Sequence, residues 1–224
     1  MRINLPALII KKPGLNKLSK ISRSKRTVHV YCTAMRIIAG TKRGMKLLSP
    51  KTKVSRPIID RVKESLFSVL HKYDLPDGKV VADLFSGVGS LGLEALSRGA
   101  DSVTFVEQAP KIIETLKKNI EKSGFVKKSK VIKADAFGVG APINERKYDL
   151  VFVDPPYACT EDVGPNSPLS SLLDVLNSQV VPDGIVVVRT NCSRDLLEKY
   201  GVFRVIERRQ WGTMAVTILQ KINQ

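Results

Sequence analysis

The segment Asp83-Leu-Phe-Ser-Gly-Val-Gly-Ser-Leu-Gly92 connects an apolar run, Lys79–Phe85, to a stretch with helical periodicity, Ser90–Arg98. Three of its glycines form the pattern Gly-x-Gly-x-x-Gly, and Glu107 follows the first of them, Gly87, by 20 residues. A strand that enters a helix through such a loop, with an acid at the tip of the next strand, is typical of nucleotide-type cofactor sites in open α/β sheets. The segment therefore predicts both a fold class and a cofactor loop.

Apolar runs and helical patterns alternate along the rest of the body. The predicted strands are Ser102–Glu107, Lys130–Lys133, Tyr148–Val153 and Gly184–Thr190, and the predicted helices are Pro110–Lys122 and Leu169–Gln179. Continuous Val, Ile, Leu and Phe runs separated by helices are typical of a parallel sheet that is buried on both faces. The last two runs, Phe203–Arg208 and Met214–Gln220, predict an antiparallel hairpin. We expect an α/β fold with a doubly wound, mostly parallel sheet.

A smaller unit precedes this sheet. Met35–Gly40 and Met45–Pro50 predict two short strands around a basic turn, which together form a small N-terminal β-hairpin. Arg56–Tyr73 has an apolar stripe at helical spacing and predicts a helix. The other face of that helix carries the charged residues Arg61, Lys63 and Glu64.

Positive charge is concentrated at the N-terminus. The net charge is +16, yet residues 1–59 contain nine Lys, six Arg and no acid, which leaves 22 basic and 21 acidic residues in the remainder. A basic arm on a domain of nearly neutral charge indicates a targeting peptide, a polyanion contact, or both. We interpret it as both, one after the other along the chain. The residues that we expect to contact nucleic-acid phosphates are Arg36, Lys42, Arg43, Lys46, Arg56 and Arg61.

We divide the chain at 1–34, 35–55 and 56–224, as a presequence, a basic hairpin and the main domain. Residues 1–34 lack acids, are rich in Lys, Arg and Ser, and contain only a short apolar run, Leu5–Ile10. This composition is typical of an organelle transit peptide. The segment before Met35 resembles a chloroplast processing site, which favours the chloroplast over the mitochondrion; a basic tail on a cytoplasmic protein is the alternative. We expect no membrane span, because no apolar run approaches the roughly 18 residues that one requires.

The tetrapeptide Asp154-Pro155-Pro156-Tyr157 directly follows a predicted strand. This position borders the ligand crevice of an open sheet. The Asp154 carboxylate and the Pro155 carbonyl can each accept an N–H of an exocyclic base amine, which frees the nitrogen lone pair from the ring for nucleophilic attack. The prolines fix the carbonyl before the substrate arrives, and Tyr157 offers a face for base stacking. These four residues are the predicted catalytic residues, and their chemistry requires no metal.

The cofactor loop has two interpretations. A nicotinamide oxidoreductase would explain the glycines and Glu107, but it leaves the tetrapeptide without a role. Asp83 and Phe85 favour the other interpretation, because Asp-x-Phe-x-Gly-x-Gly resembles the first motif of class I methyltransferases. That resemblance implies S-adenosylmethionine as cofactor, with its ammonium oriented by Asp83 and its ribose held by Glu107. The further expected cofactor contacts are Gly87, Gly89, Asp135, Ala136 and Phe67, for the last of which a core position is the alternative.

From Met35 to its C-terminus the chain resembles the bacterial-type small-subunit ribosomal RNA guanine-N(2) methyltransferases. The motifs that carry the resemblance are MRIIAG with the following KRG, the Arg56–Phe67 segment, DLFSGVGSLGLEALSRGA, FVE and DPPY. It implies a Rossmann-like class I methyltransferase fold with a seven-stranded sheet, an N-terminal hairpin that touches RNA, and guanine in assembling small subunits as substrate. An adenine-N(6) methyltransferase acting on DNA or RNA is the alternative, and we expect a monomer. The loop 159–168 is longer than in the family. The resemblance therefore defines the reaction class better than it defines the target base and the sequence around it.

Overall fold

The computed structural model describes residues 35–49, 58–143 and 146–222. The predicted presequence and Arg56 lie outside the described residues. The strands in this part of the chain are β1 Val80–Leu84, β2 Ser102–Glu107, β3 Ser129–Lys133, β4 Tyr148–Val153, β5 Val180–Asn191, β6 Lys199–Tyr200, β7 Phe203–Trp211 and β8 Met214–Lys221. The helices are α1 Asp60–Leu70, α2 Ser90–Ser97, α3 Pro110–Ser123, α4 Ala136–Val139 and α5 Pro168–Gln179.

All eight described strands form one sheet in the order β3-β2-β1-β4-β5-β8-β7-β6. The first five strands in this order are parallel to one another, and β8, β7 and β6 are each antiparallel to their neighbours. The chain adds β2 and β3 on one side of β1 and then crosses to β4 on the other side of β1. The strand order therefore reverses between β1 and β4. The carboxyl ends of β1 and β4 therefore flank the crevice where ligands bind in open α/β sheets.

Two apolar cores cover the faces of the sheet. One face packs against α1, α2 and α3 and includes Phe67, Phe105 and Phe152. The other face packs against α4 and α5 and includes Tyr148 and Leu172. Because both faces are covered, the central strands are apolar throughout, and β1 is buried at all five positions. The predicted α/β architecture is confirmed.

The sheet differs from the prediction in two details. It has an additional edge strand, β6, which consists of two residues paired with the start of β7 and is too short to leave a periodic signal. Strand β5 begins at Val180 rather than Gly184, because the ladder with β4 passes through an irregularity between Tyr148 and Leu150. Asp183 at this irregularity has a φ of 60°, a left-handed conformation that sequence patterns assign to turns.

The N-terminal hairpin is held by side chains of the main domain more than by its own ladder. Within residues 35–49 a single bridge, Arg36↔Lys46, replaces the two predicted strands, and the chain turns through a 3-10 segment, Gly40–Lys42. Gly40 has a φ of 76°, and a Cβ there would lie 1.7 Å from the Ser97 carbonyl oxygen. Such close approach to α2 requires glycine.

A buried charge group, which we call the Glu94 cluster, consists of Lys63, Glu94 and Arg98. Glu94 is fully buried, and its carboxylate accepts the backbone N–H groups of Ile38 at 2.8 Å and Ala39 at 3.0 Å. Lys63 Nζ lies 3.3 Å from Glu94 Oε2, and Arg98 Nε lies 2.8 Å from Oε1. Burial lowers the pKa of Lys63, and the adjacent Glu94 charge opposes this effect. The expectation that Lys63 lies on the open face of its helix is therefore wrong.

Lys63 also donates to the Arg36 carbonyl at 2.6 Å, and two polar side chains complete the attachment of the hairpin. Ser97 Oγ accepts from Lys42 N at 2.9 Å. Asn119 Oδ1 accepts the N–H of Leu48, and Asn119 Nδ2 donates to the Leu48 carbonyl. Nδ2 also donates to the carbonyl of Val88 at 3.0 Å, inside the predicted cofactor loop. The hairpin is thus tied to the helices that frame this loop.

Candidate active site

The two predicted loops of the site meet at the carboxyl ends of β1 and β4. These strands are paired in parallel, with Leu84 beside Val153, and Asp154 N donates to the Leu84 carbonyl at 3.4 Å. The segment 85–89 and the turn Asp154–Tyr157 therefore leave the sheet side by side. The geometry brings together the cofactor loop and the tetrapeptide, which are about 70 residues apart in sequence.

The glycines of the cofactor loop have different roles. Gly87 has a φ of 53°, and a Cβ on it would meet only the Phe85 carbonyl, at 4.0 Å, so its backbone borders open space. A Cβ on Gly89 would lie 2.6 Å from Leu116, and one on Gly92 would lie 2.4 Å from Phe105. Gly89 and Gly92 consequently allow α2 to pack against its neighbours, and Gly87 is the glycine that leaves room for a ligand.

Glu107 holds the loop in place. Its carboxylate accepts the N–H of Gly87 at 3.0 Å through Oε2 and the N–H of Ala109 at 2.9 Å through Oε1. Each carboxylate oxygen has two acceptor positions, so these bonds leave Glu107 able to accept further hydrogen bonds from a hydroxyl pair. The structure gives Glu107 a structural role, because it shapes the loop, and the ribose contact stays a prediction.

Asp83 is placed differently from the prediction. It is 1% exposed, and its Oδ2 accepts the N–H of Gly92 at 2.8 Å, so the carboxylate faces the start of α2. Burial raises the pKa of Asp83 well above its ordinary value, the Gly92 N–H opposes this, and the charges of Asp154 and Glu107 add to the rise. A direct contact with a cofactor ammonium does not fit this buried position. Asp83 instead fixes the helix that follows the loop.

The segment that follows β3 lies on the far side of the crevice from the Asp154–Tyr157 turn. Asp135 is exposed and caps α4 by accepting the N–H of Phe137 at 3.1 Å, while Ala136 is buried. The rings of Phe85 and Phe137 lie 4.7 Å apart at an angle of 58°. Phe137 was not among the predicted site residues. Its signal in the sequence was an aromatic residue two positions after a capping acid, next to a strand end.

The Asp154–Tyr157 turn directly follows β4, where the sequence placed it, and it has a partner that was not predicted. Pro155 is buried, Pro156 is exposed, and the Pro156 carbonyl accepts from Cys159 N at 2.9 Å, which closes the turn. Asp154 forms an ion pair with Arg189 of β5, whose Cζ lies 5.8 Å from the centroid of the Tyr157 ring. Burial raises the pKa of Asp154, and the charge and hydrogen bond of Arg189 oppose this effect.

Arg189 is the principal site residue that sequence reasoning missed. Its signal was a cation at the end of the otherwise apolar run GIVVVRT. Two buried hydroxyls at the site, Ser86 Oγ and Tyr157 Oη, have no hydrogen-bond partner among the described residues. Buried polar atoms are seldom left unpaired, which is consistent with groups that await a ligand.

Phe67 is in the core. It is 1% exposed, its ring lies 5.8 Å from that of Phe152, and the Arg98 guanidinium stacks on it with Cζ 4.6 Å from the centroid. Both ring contacts are internal, so the packing supports the core interpretation and not the assignment to the cofactor pocket.

The predicted phosphate contacts that the structure describes differ in accessibility. Arg43, Lys46 and Arg61 are exposed. Arg36 is paired with Asp60 at 2.7 Å, and Lys42 Nζ lies 5.9 Å from the centroid of the Phe125 ring. Arg36 is also exposed, but its charge is paired, so Arg43, Lys46 and Arg61 offer the most accessible charge to a polyanion.

Neither a metal cluster nor a membrane-spanning helix occurs in the described ranges. Residues 35–49, 58–143 and 146–222 contain no group of three or more His, Cys, Asp or Glu side chains arranged to hold a metal ion. None of the helices in these ranges is long and apolar enough to span a membrane.

Comparison with known proteins gives consistent matches. The family model described as "Conserved hypothetical protein 95" matches residues 35–220. "Putative rRNA methyltransferase YlbH" of Bacillus subtilis is 32% identical over 191 residues, which are 84% of this chain and 99% of that protein. "Ribosomal RNA small subunit methyltransferase D" of Haemophilus influenzae is 40% identical over 129 residues, 55% of this chain and 64% of that protein.

The solved structure "Putative methyltransferase yhhF from Escherichia coli" aligns with a TM-score of 0.71 at 27% identity, over 85% of this chain and 99% of that one. These matches confirm the resemblance to small-subunit ribosomal RNA methyltransferases that the motifs indicated. The chain therefore belongs to the family described as Conserved hypothetical protein 95 and has the fold of the class I methyltransferases.

Proposed function

We propose that this protein transfers the methyl group of S-adenosylmethionine to the exocyclic N2 amine of a guanine in small-subunit ribosomal RNA. The observation that carries the proposal is the junction of the cofactor loop and the Asp154–Tyr157 turn, where Asp154 N donates to the Leu84 carbonyl at 3.4 Å. A base bound at the turn lies beside a cofactor bound at the loop, and such proximity lowers the barrier to transfer. The substrate class is supported by the names of the relatives.

The turn supplies the activation of the amine. The Asp154 carboxylate accepts one amine N–H and the Pro155 carbonyl accepts the other, which draws the nitrogen out of conjugation with the ring and exposes its lone pair. The Tyr157 ring stacks on the base and orients it. These acceptors are fixed before the substrate binds, so little reorganisation is needed in the transition state. The cofactor, when bound, would supply an electrophilic methyl group on a sulfonium, with the neutral thioether as leaving group. The methylated amine loses one N–H proton, which the Asp154 carboxylate or solvent can accept.

The residues around the loop suit such a cofactor. Gly87 leaves open space for close approach of the methionine part, and the unpartnered Ser86 Oγ offers a donor and an acceptor there. Glu107 is available to the ribose hydroxyls. Phe85 and Phe137 provide apolar surface, and the exposed Asp135 offers an acceptor to the adenine amino group.

The chemistry of the turn would activate an adenine N6 amine equally well. An adenine methyltransferase is therefore the second candidate, and the choice of guanine rests on the family resemblance. We also propose that the protein acts as a monomer on assembling small-subunit particles. We further propose that residues 1–34 direct it to an organelle, with the chloroplast favoured over the mitochondrion.

Cofactor binding has a direct thermal test. S-adenosylmethionine at about 100 times its Kd should stabilise the native state by about 2.7 kcal/mol, because a ligand that binds only the folded form shifts the equilibrium by mass action. For a domain of this size that corresponds to a rise in Tm of about 5–11 °C. Differential scanning fluorimetry with S-adenosylmethionine, S-adenosylhomocysteine and NAD measures it. Stabilisation by NAD alone would contradict the proposal.

The hairpin is tested by charge reversal at its exposed positions. Arg43→Glu with Lys46→Glu should weaken RNA binding and reduce the slope of log K against log salt by about one unit for each phosphate that is no longer neutralised. Filter binding at several salt concentrations measures this slope. The control reverses the exposed Lys72 and Lys199, which lie outside the hairpin. An equal effect in both double variants would show that only net charge matters.

A further inference from the structure

Arg189 of β5 lies beside the Asp154–Tyr157 turn. Its Nε pairs with Asp154 Oδ1, and the two side chains are 12% and 17% exposed. Its guanidinium also lies over the Tyr157 ring, at 5.8 Å from Cζ to the centroid. One side chain therefore contacts both the acceptor and the stacking surface of the turn.

The sheet dictates this juxtaposition. Strands β4 and β5 are parallel neighbours with Val153 beside Val188, so Asp154 and Arg189 follow at the same edge. The four residues that precede Arg189 in β5 are buried and apolar, Ile185–Val188. A cation at the end of such a strand is costly to desolvate unless an anion compensates it. Asp154 supplies that anion.

We propose that Arg189 is a positioning residue for methyl transfer: it holds Asp154 by Oδ1, leaves Oδ2 for the target amine, and keeps the carboxylate charged as the base closes over it. The inference rests on the proposed function. An ionised carboxylate accepts hydrogen bonds with both oxygens, whereas a protonated one has given up part of that capacity. Orientation and charge are thus set by the same guanidinium.

The surrounding groups give the pairing its importance. Burial raises the pKa of Asp154, and Arg189 counteracts that rise. From β1 the neighbouring group is Asp83, an acid whose own pKa is raised by burial and by the Asp154 charge, and Glu107 of β2 acts on Asp83 in the same sense. If the guanidinium is removed, burial remains and the charge that opposes it is lost. The pKa of Asp154 then rises further, and activity that needs the ionised form is lost at a higher pH as the pH falls.

The test is the pH dependence of single-turnover methyl transfer by the full chain carrying Arg189→Met, Arg189→Gln or Arg189→Lys. We expect the Met and Gln variants to be about 10- to 100-fold slower than wild type near about pH 6, and within about 10-fold near about pH 9. The Lys variant retains a cation and should follow the wild-type profile within about 5-fold. Gln is hydrophilic and nearly isosteric along its stem, so it serves if the Met variant does not fold.

Two results would overturn the inference: a loss that is the same at every pH, which indicates a structural role, or rates in the Met and Gln variants equal to wild type throughout. A Lys variant as impaired as the Gln variant would also overturn the charge requirement. These outcomes differ from failure of the proposed function, in which wild-type protein that binds S-adenosylmethionine transfers no methyl group to RNA.

Discussion

Replacement of Asp154 by alanine or asparagine is expected to slow single-turnover methyl transfer by about 10²–10³-fold, the usual loss when one preorganised electrostatic contact is removed. The contact matters most as the methyl group moves, because the amine is pulled from conjugation only while it attacks. Saturating protein with labelled S-adenosylmethionine and RNA in a quenched time course measures the rate. The asparagine variant preserves side-chain volume beside Arg189, so both variants together separate charge from packing.

Three controls accompany this measurement. Cofactor affinity should change little in the Asp154 variants, because the carboxylate lies in the turn and not in the loop that carries Gly87. Tyr157→Phe should keep most of the activity, since it retains the ring for stacking. The variant Asp174→Asn, at an exposed position on α5, should transfer the methyl group at the wild-type rate. Near-normal transfer by Asp154→Ala would mean that the amine is activated elsewhere.

Replacement of Glu94 by alanine is expected to destabilise the protein by about 3–5 kcal/mol, the usual cost of breaking a buried ion pair from one side. The substitution removes the carboxylate that pairs with Lys63, which is 1% exposed, and that accepts the N–H groups of Ile38 and Ala39. For a domain of this size the Tm should fall by about 6–20 °C. Urea or thermal unfolding measures the change.

The matched control for this substitution is Glu114→Ala on α3, an exposed glutamate that should alter stability by less than about 0.5 kcal/mol. Because Glu94 holds the hairpin through its backbone, Glu94→Ala should also expose residues 35–49 to proteolysis before the main domain is cut. A stability within about 1 kcal/mol of wild type would contradict the account of how the hairpin is attached.

Local patterns were enough to predict most of the fold. β2 and β4 begin and end where their apolar runs do, and α2 and α3 end within one residue of the predicted positions. These elements are specified by hydrophobic periodicity and by helix start and stop residues such as Pro110 and Gly124, which act over a few residues. The candidate cofactor loop and the Asp154–Tyr157 turn could be singled out for the same reason, since each is a short motif at the end of a strand; their roles stay predictions.

The rest depended on contacts between residues distant in sequence. Lys63 has the appearance of a solvent-exposed helical lysine, and only the docked hairpin makes its position an interior one. Arg189 pairs with Asp154 across 35 residues, and Glu94 accepts from Ile38 across 56. Asp83 was assigned to the cofactor because its motif suggests so, yet its carboxylate is used by Gly92. No periodic signal encodes which charged side chains become buried partners.

The identity of the methylated nucleoside separates the proposed guanine methylation from its alternatives. Wild-type protein is incubated with isotope-labelled S-adenosylmethionine and either small-subunit particles or their naked precursor RNA, and the RNA is then digested and analysed by mass spectrometry. We predict label in N2-methylguanosine, at one nucleotide, which Asp154→Ala reduces by about 10²–10³-fold under single-turnover conditions. Label in N6-methyladenosine would contradict the choice of guanine, and the absence of label in any base, from protein shown to bind the cofactor, would contradict the proposed reaction itself.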